Sequence, residues 1–299
     1  MSRRIAGVAG IAALALAVMP AAAGAQTTFR QLPVTNPDYV KPFPPVKILN
    51  SLYYVGTYDL AVYAIPTREG IILINTGIND SVPAIRKNME AAGLKFSDIK
   101  LLLATHGHWD HVAAMAEIKR LTGARMFMHE DDAELLETGG GYDFRFPNGR
   151  GSIYEPIKVD RRLKDGEKVR LGEVELTVHH HPGHTKGATS FTYTAQEAGR
   201  SLNVLIVNMG SINPGVNVAF MPAFPQITQA YGNTLAKQKQ MKPDVWVSSH
   251  AGHFNLHEKY KPGDAYDPNR FVDPAGYLKK VELYEQRYRE QLAKDQKAN

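Results

Sequence analysis

The chain has 299 residues, with 35 Lys and Arg against 30 Asp and Glu, eleven His and no Cys. The absence of Cys excludes disulfide frameworks, thiolate zinc sites, iron–sulfur clusters and cysteine nucleophiles. A hydrophobic fraction of 43% beside 22% charged residues is typical of a globular protein and excludes a disordered or collagenous chain.

The first 25 residues have the pattern of a secretory signal peptide. Arg3 and Arg4 precede the apolar stretch Ile5–Met19, and the Ala-Gly-Ala run at 23–25 fits the small-residue cleavage rule. The apolar stretch is shorter than the ~20 residues that a membrane-spanning helix needs, so a permanent anchor is the weaker alternative. Both general and twin-arginine export fit this start. We therefore expect residues 1–25 to be cleaved and residues 26–299 to work in the periplasm, free of the membrane.

Basic residues are scattered along the rest of the chain. The net charge of +5 falls to +3 when the two leader arginines are subtracted, and no basic stripe is present in the sequence. Nucleic-acid binding requires such a concentrated patch. We expect a small-molecule substrate, no nucleic-acid partner and a monomeric chain.

Short apolar runs and helical patterns divide the mature chain into two strand-rich halves, each followed by helices. A Pro-rich arm at 26–45 comes first, and no Pro/Gly/Ser linker separates the halves, so we predict one α/β domain of two packed sheets with helices outside. In chain order the predicted elements are strands at 46–49, 52–55, 60–65 and 70–74, a helix at 81–92, a strand at 100–105, a helix at 111–121, a strand at 124–128, a helix at 131–137, strands at 167–171, 174–179, 187–194 and 202–207, a helix at 225–241, a strand at 245–249 and a helix at 276–294. The Gly-rich segment 139–155 between the halves is predicted to be a long surface loop with a functional role.

Four potential metal ligands fall within six positions directly after the predicted strand 100–105. They are His106, His108, Asp110 and His111, in the run Thr-His-Gly-His-Trp-Asp-His. In an extended backbone, residues two apart face the same way, so His106 and His108 can bind one ion together. Neutral imidazole suits zinc, and Asp110 with His111 can turn toward a second ion.

Two further histidines, His184 and His250, each follow a predicted strand. The six residues divide into two sets, His106, His108 and His184 for one zinc ion and Asp110, His111 and His250 for the other. Three protein ligands leave a fourth position open, which is the catalytic arrangement. Two adjacent ions can share a hydroxide and make it available at neutral pH. For the remaining histidines we favour packing or supporting roles; these are His129, His179, His180, His181, His253 and His257.

The run from His106 to His111, with His184 and His250 downstream, resembles the metallo-β-lactamase superfamily. The resemblance extends from about Tyr53 to Asp273. It implies the αβ/βα four-layer sandwich, in which helices flank two mixed β-sheets and two zinc ions lie at one edge.

Within that superfamily the sequence looks like subclass B3. Thioesterases, glyoxalase II enzymes and many lactonases of the superfamily carry an Asp that bridges both metals, but here the matching segment 208–211 reads Asn-Met-Gly-Ser, so Ser211 stands at that place. Subclasses B1 and B2 would need a Cys ligand, which this chain lacks. The stretches that match subclass B3 lie at 53–57, 71–77, 182–185, 210–215, 249–252 and 271–274.

This resemblance implies a zinc-dependent β-lactam hydrolase that gives resistance to penicillins, cephalosporins and carbapenems. A hydroxide held by the two zinc ions attacks the β-lactam carbonyl and opens the ring, and Asp110 orients that hydroxide. Ser211 and Asn213 are expected to hold the substrate carboxylate. The loop 139–155 and the arm 26–45 are expected to flank the cleft, with Tyr142 and Phe144 as candidate contacts.

Two alternatives remain open. One is another metallo-hydrolase on the same fold, such as a lactonase or arylesterase, and the other is a periplasmic zinc-binding protein with a vestigial site. The intact ligand set disfavours the second, and Ser211 disfavours the first. Trp109 and the run 112–114 (Val-Ala-Ala) depart from the family pattern and bear on efficiency and substrate range, since they remove no ligand.

Overall fold

A computed structural model describes Met1 and residues 29–298 of the chain. The predicted leader, apart from Met1, lies outside the described residues. Within the described part, no helix is both long and apolar enough to cross a membrane.

The first half of the described chain forms a mixed sheet in which the strands lie side by side in chain order. Strands β1 to β4 are antiparallel to one another, and β4 to β7 are parallel. The strands are β1 (Val46–Leu49), β2 (Leu52–Tyr54), β3 (Tyr63–Thr67), β4 (Gly70–Ile74), β5 (Ile99–Leu103), β6 (Arg125–His129) and β7 (Arg161–Leu163).

The second half forms another mixed sheet, in the spatial order β12-β11-β10-β9-β8. Its strands pair antiparallel except β11 and β12, which are parallel. They are β8 (Lys168–Leu171), β9 (Val174–His180), β10 (Thr189–Glu197), β11 (Arg200–Val207) and β12 (Val245–Ser248).

Helices cover the outer faces of both sheets, and this confirms the predicted four-layer α/β sandwich. Strand β4 is buried on both faces: Ile72 and Ile74 belong to the core between the sheets, whereas Ile71 and Leu73 pack with helices on the outside. Strand β4 therefore contributes to two cores, because successive side chains along a strand point to opposite faces of the sheet. The helices are α1 (Val82–Ala91), α2 (Trp109–Val112), α3 (Met115–Thr122), α4 (Glu130–Glu137), α5 (Ile227–Gln240), α6 (Leu256–Lys259) and α7 (Pro274–Ala298).

The structure differs from the predicted elements at two places near the site. The predicted helix 111–121 is wrong, because the chain forms α2, breaks at Ala113 and Ala114, and then forms α3. The amide of Ala113 donates to both Gly77 and Trp109, which ties this break to the end of β4. The short strand β7 was not predicted, since its exposed Arg161 and Arg162 carry no hydrophobic pattern and occupy the sheet edge.

Candidate metal centre

The loops that follow β5, β9 and β12 meet at one edge of the sandwich. Thr105, just after β5, connects them: its amide donates to Asn75 Oδ1 at 2.9 Å, and its hydroxyl lies 2.9 Å from Ser249 Oγ. The amide of Thr189 donates to the Thr105 carbonyl at 2.7 Å and joins β10 to the same point. These bonds bring side chains from distant parts of the sequence to one place.

The first predicted ligand set comes together at this edge. The ligand nitrogens of His106, His108 and His184 lie within 4.8 Å of one another, and Nδ1 of His108 lies 3.0 Å from Nε2 of His184. Burial, reinforced by the neighbouring imidazoles, holds the pKa of His106 and of His184 well below the usual range. Neutral imidazoles with converging nitrogens are the form that binds a metal ion.

The second predicted set is also assembled, beside the first. Oδ2 of Asp110 lies 3.2 Å from Nε2 of His111 and 3.6 Å from Nε2 of His250. His106 also lies within 4.8 Å of the Asp110 and His111 ligand atoms, so the two sets adjoin. Burial alone would raise the pKa of Asp110, but the His111 and His250 imidazoles outweigh it and hold the pKa well below the usual range.

The donor atoms of this edge fit a pair of zinc ions. Nε2 of His106 is buried and has no hydrogen-bond partner among the described residues. Such an orphaned atom is costly unless it has a ligand. One ionised carboxylate and five imidazoles, with three ligands in each set, form the nitrogen-and-oxygen donor set that zinc prefers at catalytic sites.

Hydrogen bonds behind the ligands fix which ring nitrogen faces the centre. Nδ1 of His184 donates to the Ser211 carbonyl at 2.8 Å, and Nδ1 of His250 donates to Oδ2 of Asp59 at 2.8 Å. In His184, whose pKa is held low, Nε2 is therefore unprotonated and directed at the ligand cluster. Burial alone would lower the pKa of His250, but the hydrogen bond to Asp59 and the Asp110 carboxylate outweigh it and raise the pKa. Orientation of this kind raises the basicity of an imidazole ligand.

Asp132 connects the loops that carry the ligands. Its carboxylate, buried with 1% exposure, accepts hydrogen bonds from Gly107 N, Thr185 Oγ1 and Gly187 N at 2.6 to 2.9 Å. Gly187 has to be Gly, because a Cβ there would lie 2.4 Å from the Asp132 amide nitrogen. One side chain of α4 thus holds the loop of His106 and His108 against the loop of His184.

Asp143 from the loop 139–155 also reaches the centre. Its Oδ2 lies 3.4 Å from Nε2 of His108. The single Nε–H of Arg145 is shared between the two oxygens of the same carboxylate, and Nη2 of Arg145 donates to Oδ2. Arg150 approaches to 3.5 Å from the other side. The predicted functional loop therefore contacts a ligand through a buried carboxylate held by two arginines.

The aromatic residues proposed for the cleft behave differently from one another. Tyr142 is exposed, but Phe144 is buried and packs on Phe224 with ring centroids 5.3 Å apart, so its prediction as a substrate contact is wrong. The arm contributes Tyr39 instead. Its ring centroid lies 6.0 Å from that of His250, and burial together with the Asp110 and Asp59 carboxylates raises its pKa.

The two predicted substrate-binding residues, Ser211 and Asn213, lie on the loop after β11, which bonds His184 through the Ser211 carbonyl. The hydroxyl of Ser211 lies 3.1 Å from Nδ1 of His184, so it faces the ligand ring. Nδ2 of Asn213 is buried and has no partner among the described residues. Both residues line a cavity of about 430 Å³ that is closed on the other side by Tyr284 and Arg287 of α7.

The other histidines lie apart from the two ligand sets or contact them only from the side. His179 bonds Thr192 Oγ1 at 2.7 Å, His181 bonds Ser190 Oγ at 2.7 Å, and His253 lies 3.1 Å from Ser248 Oγ. His257 stacks on Tyr58 at 3.8 Å. His253 does approach His250, with ring centroids 5.0 Å apart.

Sequence reasoning missed Asp59, Asp132 and Asp143, the carboxylates that bond or contact the ligands and their loops. Asp59 is 191 positions from His250, and Asp132 is 55 positions from Gly187. A carboxylate in a loop has no periodicity that marks it. The one available signal was that Asp143 lies in the segment predicted to be functional.

The sequence model of the metallo-β-lactamase superfamily matches residues 59–197 of this chain. Among solved structures, the class B3 di-zinc metallo-β-lactamase LRA-12 from an Alaskan soil metagenome is 42% identical, with a TM-score of 0.85, over 88% of this chain and 99% of that one. The metallo-β-lactamase GOB-18 from Elizabethkingia meningoseptica is 38% identical, with a TM-score of 0.86, over 89% of this chain and 98% of that one.

The match to a curated relative covers a smaller part of the chain. A hydroxyacylglutathione hydrolase from Bradyrhizobium sp. is 31% identical over 128 residues, which is 41% of this chain and 41% of that protein. The chain thus matches less than half the length of this relative. Its matches to the two solved structures cover nearly their whole length.

Proposed function

Since the chain belongs to the metallo-β-lactamase superfamily, we propose that it is a class B3 enzyme that hydrolyses the β-lactam ring of penicillins, cephalosporins and carbapenems. The observation that carries this proposal is the position of Ser211. Ser211 occupies the position at which thioesterase and lactonase members of the superfamily carry an Asp that bridges both metals. Its hydroxyl lies 3.1 Å from Nδ1 of His184. The similarity to the class B3 protein LRA-12 and to the metallo-β-lactamase GOB-18, over nearly the full length of both, supports the same activity.

We propose two zinc ions as the cofactors. His106, His108 and His184 would hold one, and Asp110, His111 and His250 would hold the other. When bound, such ions supply Lewis acidity and lower the pKa of water toward neutrality. A di-zinc state is named for the similar LRA-12 protein, and the orphaned Nε2 of His106 is consistent with it here.

Asp110 is proposed to orient the nucleophile. Its carboxylate stays ionised at working pH, because its pKa is held well below the usual range. An ionised Oδ atom accepts a hydrogen bond from the attacking water and fixes the direction of its lone pair. The contacts from His111 and His250 hold the carboxylate in place for this role.

Asn213 and Ser211 are proposed to bind the substrate carboxylate. The unpartnered Nδ2 of Asn213 offers a donor that has already lost its solvent, so a carboxylate oxygen gains a strong hydrogen bond there. Ser211 offers a hydroxyl from the same loop. Arg287 lines the same cavity and adds positive charge near these two residues, whereas none of the six ligand residues lines it.

The place of action is also a proposal. The signal-peptide pattern of residues 1–25 supports export and a periplasmic enzyme, and the scattered charge supports a protein without a nucleic-acid partner. We propose that it acts as a monomer on a small-molecule substrate, free of the membrane.

The test is hydrolysis of a carbapenem and a cephalosporin by the purified, zinc-loaded chain 26–299. A lactone, an aryl ester and a glutathione thioester are assayed in parallel. We expect turnover of both β-lactams. Absence of β-lactam turnover, combined with hydrolysis of one of the other substrates, would overturn the proposal.

A thioesterase or related hydrolase is the second candidate. The match to a hydroxyacylglutathione hydrolase favours it, and a lactonase or arylesterase would give the same pattern in the assay. A zinc-binding protein with a vestigial site is distinguished by full metal content without turnover of any of the five substrates.

A further inference from the structure

A third group of imidazole and carboxylate side chains lies outside the metal centre and shares no residue with it. It consists of His129, Asp131 and His180. His129 ends β6 in the first sheet, Asp131 lies in the first turn of α4, and His180 ends β9 in the second sheet. The group therefore joins the two halves of the sandwich.

The ligand atoms of these three side chains lie within 4.8 Å of one another. Oδ2 of Asp131 is 3.7 Å from Nδ1 of His129 and 3.5 Å from Nε2 of His180. The two imidazole rings are stacked, with centroids 3.9 Å apart and planes at 16°. The carbonyl oxygen of Lys186 lies 2.8 Å from Nε2 of His180 and adds a fourth donor atom.

The electrostatic surroundings favour a cation between these groups. Burial, together with the neighbouring His180, lowers the pKa of His129 to about 4, so this imidazole is neutral at physiological pH. The carboxylates of Asp165 and Glu167 also act on His129, but they are paired with Lys237 and Arg161 respectively. The attraction for a divalent ion therefore comes mainly from Asp131, whose carboxylate lies against the two imidazoles.

We propose that His129, Asp131 and His180 form an additional binding site for a divalent transition-metal ion such as Zn²⁺, separate from the metal centre of the cleft. Two nitrogens and one carboxylate oxygen make a donor set that zinc, nickel and copper ions accept. The Lys186 carbonyl completes four donors.

Coordination replaces two local hydrogen bonds. The Asp131 amide donates to Nδ1 of His129 at 3.3 Å, and Nε2 of His180 donates to the Lys186 carbonyl. Because the two ring planes are nearly parallel, coordination also requires one ring to rotate until both nitrogens point at the same ion. His180 has room for this rotation because 22% of its side chain is exposed.

A metal ion bound at this site should also stabilise the folded state. Asp131 precedes Asp132, which holds the loops of His106 and His184 together. An ion that joins the start of α4 to the end of β9 adds a second connection across the same layers. Since a ligand that binds only the folded state stabilises it, the thermal midpoint should rise with free metal.

The experiment compares the full mature chain with two variants, His180→Ala and Asp131→Asn, by equilibrium dialysis against stepwise increases of buffered free Zn²⁺. Metal per chain is measured by emission spectroscopy, and the thermal midpoint is recorded at each step. The matched control is His179→Ala, because His179 is the neighbouring residue on β9 but bonds Thr192 outside the group.

We expect the wild-type chain and His179→Ala to bind one more Zn²⁺ per chain than either variant, and to show a further rise of the thermal midpoint. Equal metal content in wild type and both variants would overturn the proposal. Because the readout is a difference between variants, it does not depend on whether the cleft hydrolyses β-lactams. Circular dichroism at low metal identifies a misfolded variant, and the other variant then decides the outcome.

Discussion

Oδ2 of Asp143 lies 3.4 Å from Nε2 of His108, while Nδ1 of the same ring lies 3.0 Å from Nε2 of His184. The ring of His108 is thus held between a buried carboxylate on one side and the ligand cluster on the other. A proton on Nε2 of this ring would face the carboxylate and leave the Nδ1 lone pair directed at the metal centre. Asp143, on the loop 139–155, is therefore placed to orient a ligand.

Replacing this carboxylate should weaken metal binding without removing a ligand. For Asp143→Asn we expect about a 10- to 100-fold loss of zinc affinity, as is usual when a partner of a ligating His is lost. Chelator competition measures it. The control is Asp160→Asn, which also removes a carboxylate paired with a cation, Lys119, but lies away from the ligands. Equal zinc affinity in wild type and Asp143→Asn would contradict the proposed role.

Loss of a ligand from one set should spare the other. His184→Ala removes an imidazole from the first set and leaves Asp110, His111 and His250 in place. We expect hydrolytic activity to disappear and the zinc content of the cleft to fall toward one ion per chain. Metal analysis at low free zinc measures this, with His179→Ala as a histidine control. Unchanged zinc content would refute the ligand assignment.

The carboxylate role of Asn213 predicts a change in KM. Asn213→Ala removes a hydrogen bond to a charged group, so KM for a β-lactam should rise by about 10- to 100-fold with a smaller change in kcat. The control is the same substrate with its carboxylate esterified. Wild type and variant should handle that ester alike, and a KM difference that persisted with the ester would argue against this contact.

The scaffold depends on Asp132 more than on its neighbours in α4. Asp132→Ala would leave three donors without their acceptor, those of Gly107, Thr185 and Gly187. At about 1–3 kcal/mol for each orphaned group, the free energy of unfolding should fall by at least about 3 kcal/mol. Urea denaturation measures this. Glu130→Ala, at an exposed position two residues earlier, should change it by less than about 0.5 kcal/mol.

Stability should fall in acid because of His181. Burial, with smaller contributions from His179 and Lys237, lowers its pKa from 6.5 to about 3. The folded state therefore resists a proton that the unfolded chain accepts. The stabilisation is complete above pH 6.5 and is lost progressively toward pH 3, at up to about 1.4 kcal/mol per pH unit for one proton.

The variant His181→Gln should remove this part of the pH dependence. The difference in unfolding free energy between wild type and variant should therefore shrink as the pH falls from 6.5 to 4. Measurement at pH 7.5 serves as the control, because it records the cost of the substitution where the imidazole is neutral in both states. Parallel pH curves for the two proteins would contradict this assignment.

The sequence by itself determined the strand-rich halves and the six candidate ligands. These features depend on local pattern: a continuous apolar run marks a buried strand such as β4, and four of the ligands fall within six positions after one strand end. The last helix, predicted at 276–294, is present as α7, in which Tyr277, Val281, Tyr284 and Tyr288 are buried.

Only the tertiary structure decided which groups support those ligands. Asp59 bonds His250 from 191 positions away, Asp143 meets His108 through a loop without periodicity, and His129 stacks on His180 across the two sheets. Such contacts depend on how the sheets pack and where loops close. A polar side chain in a loop carries no sign of its partner, because the partner is chosen by the fold rather than by neighbouring residues.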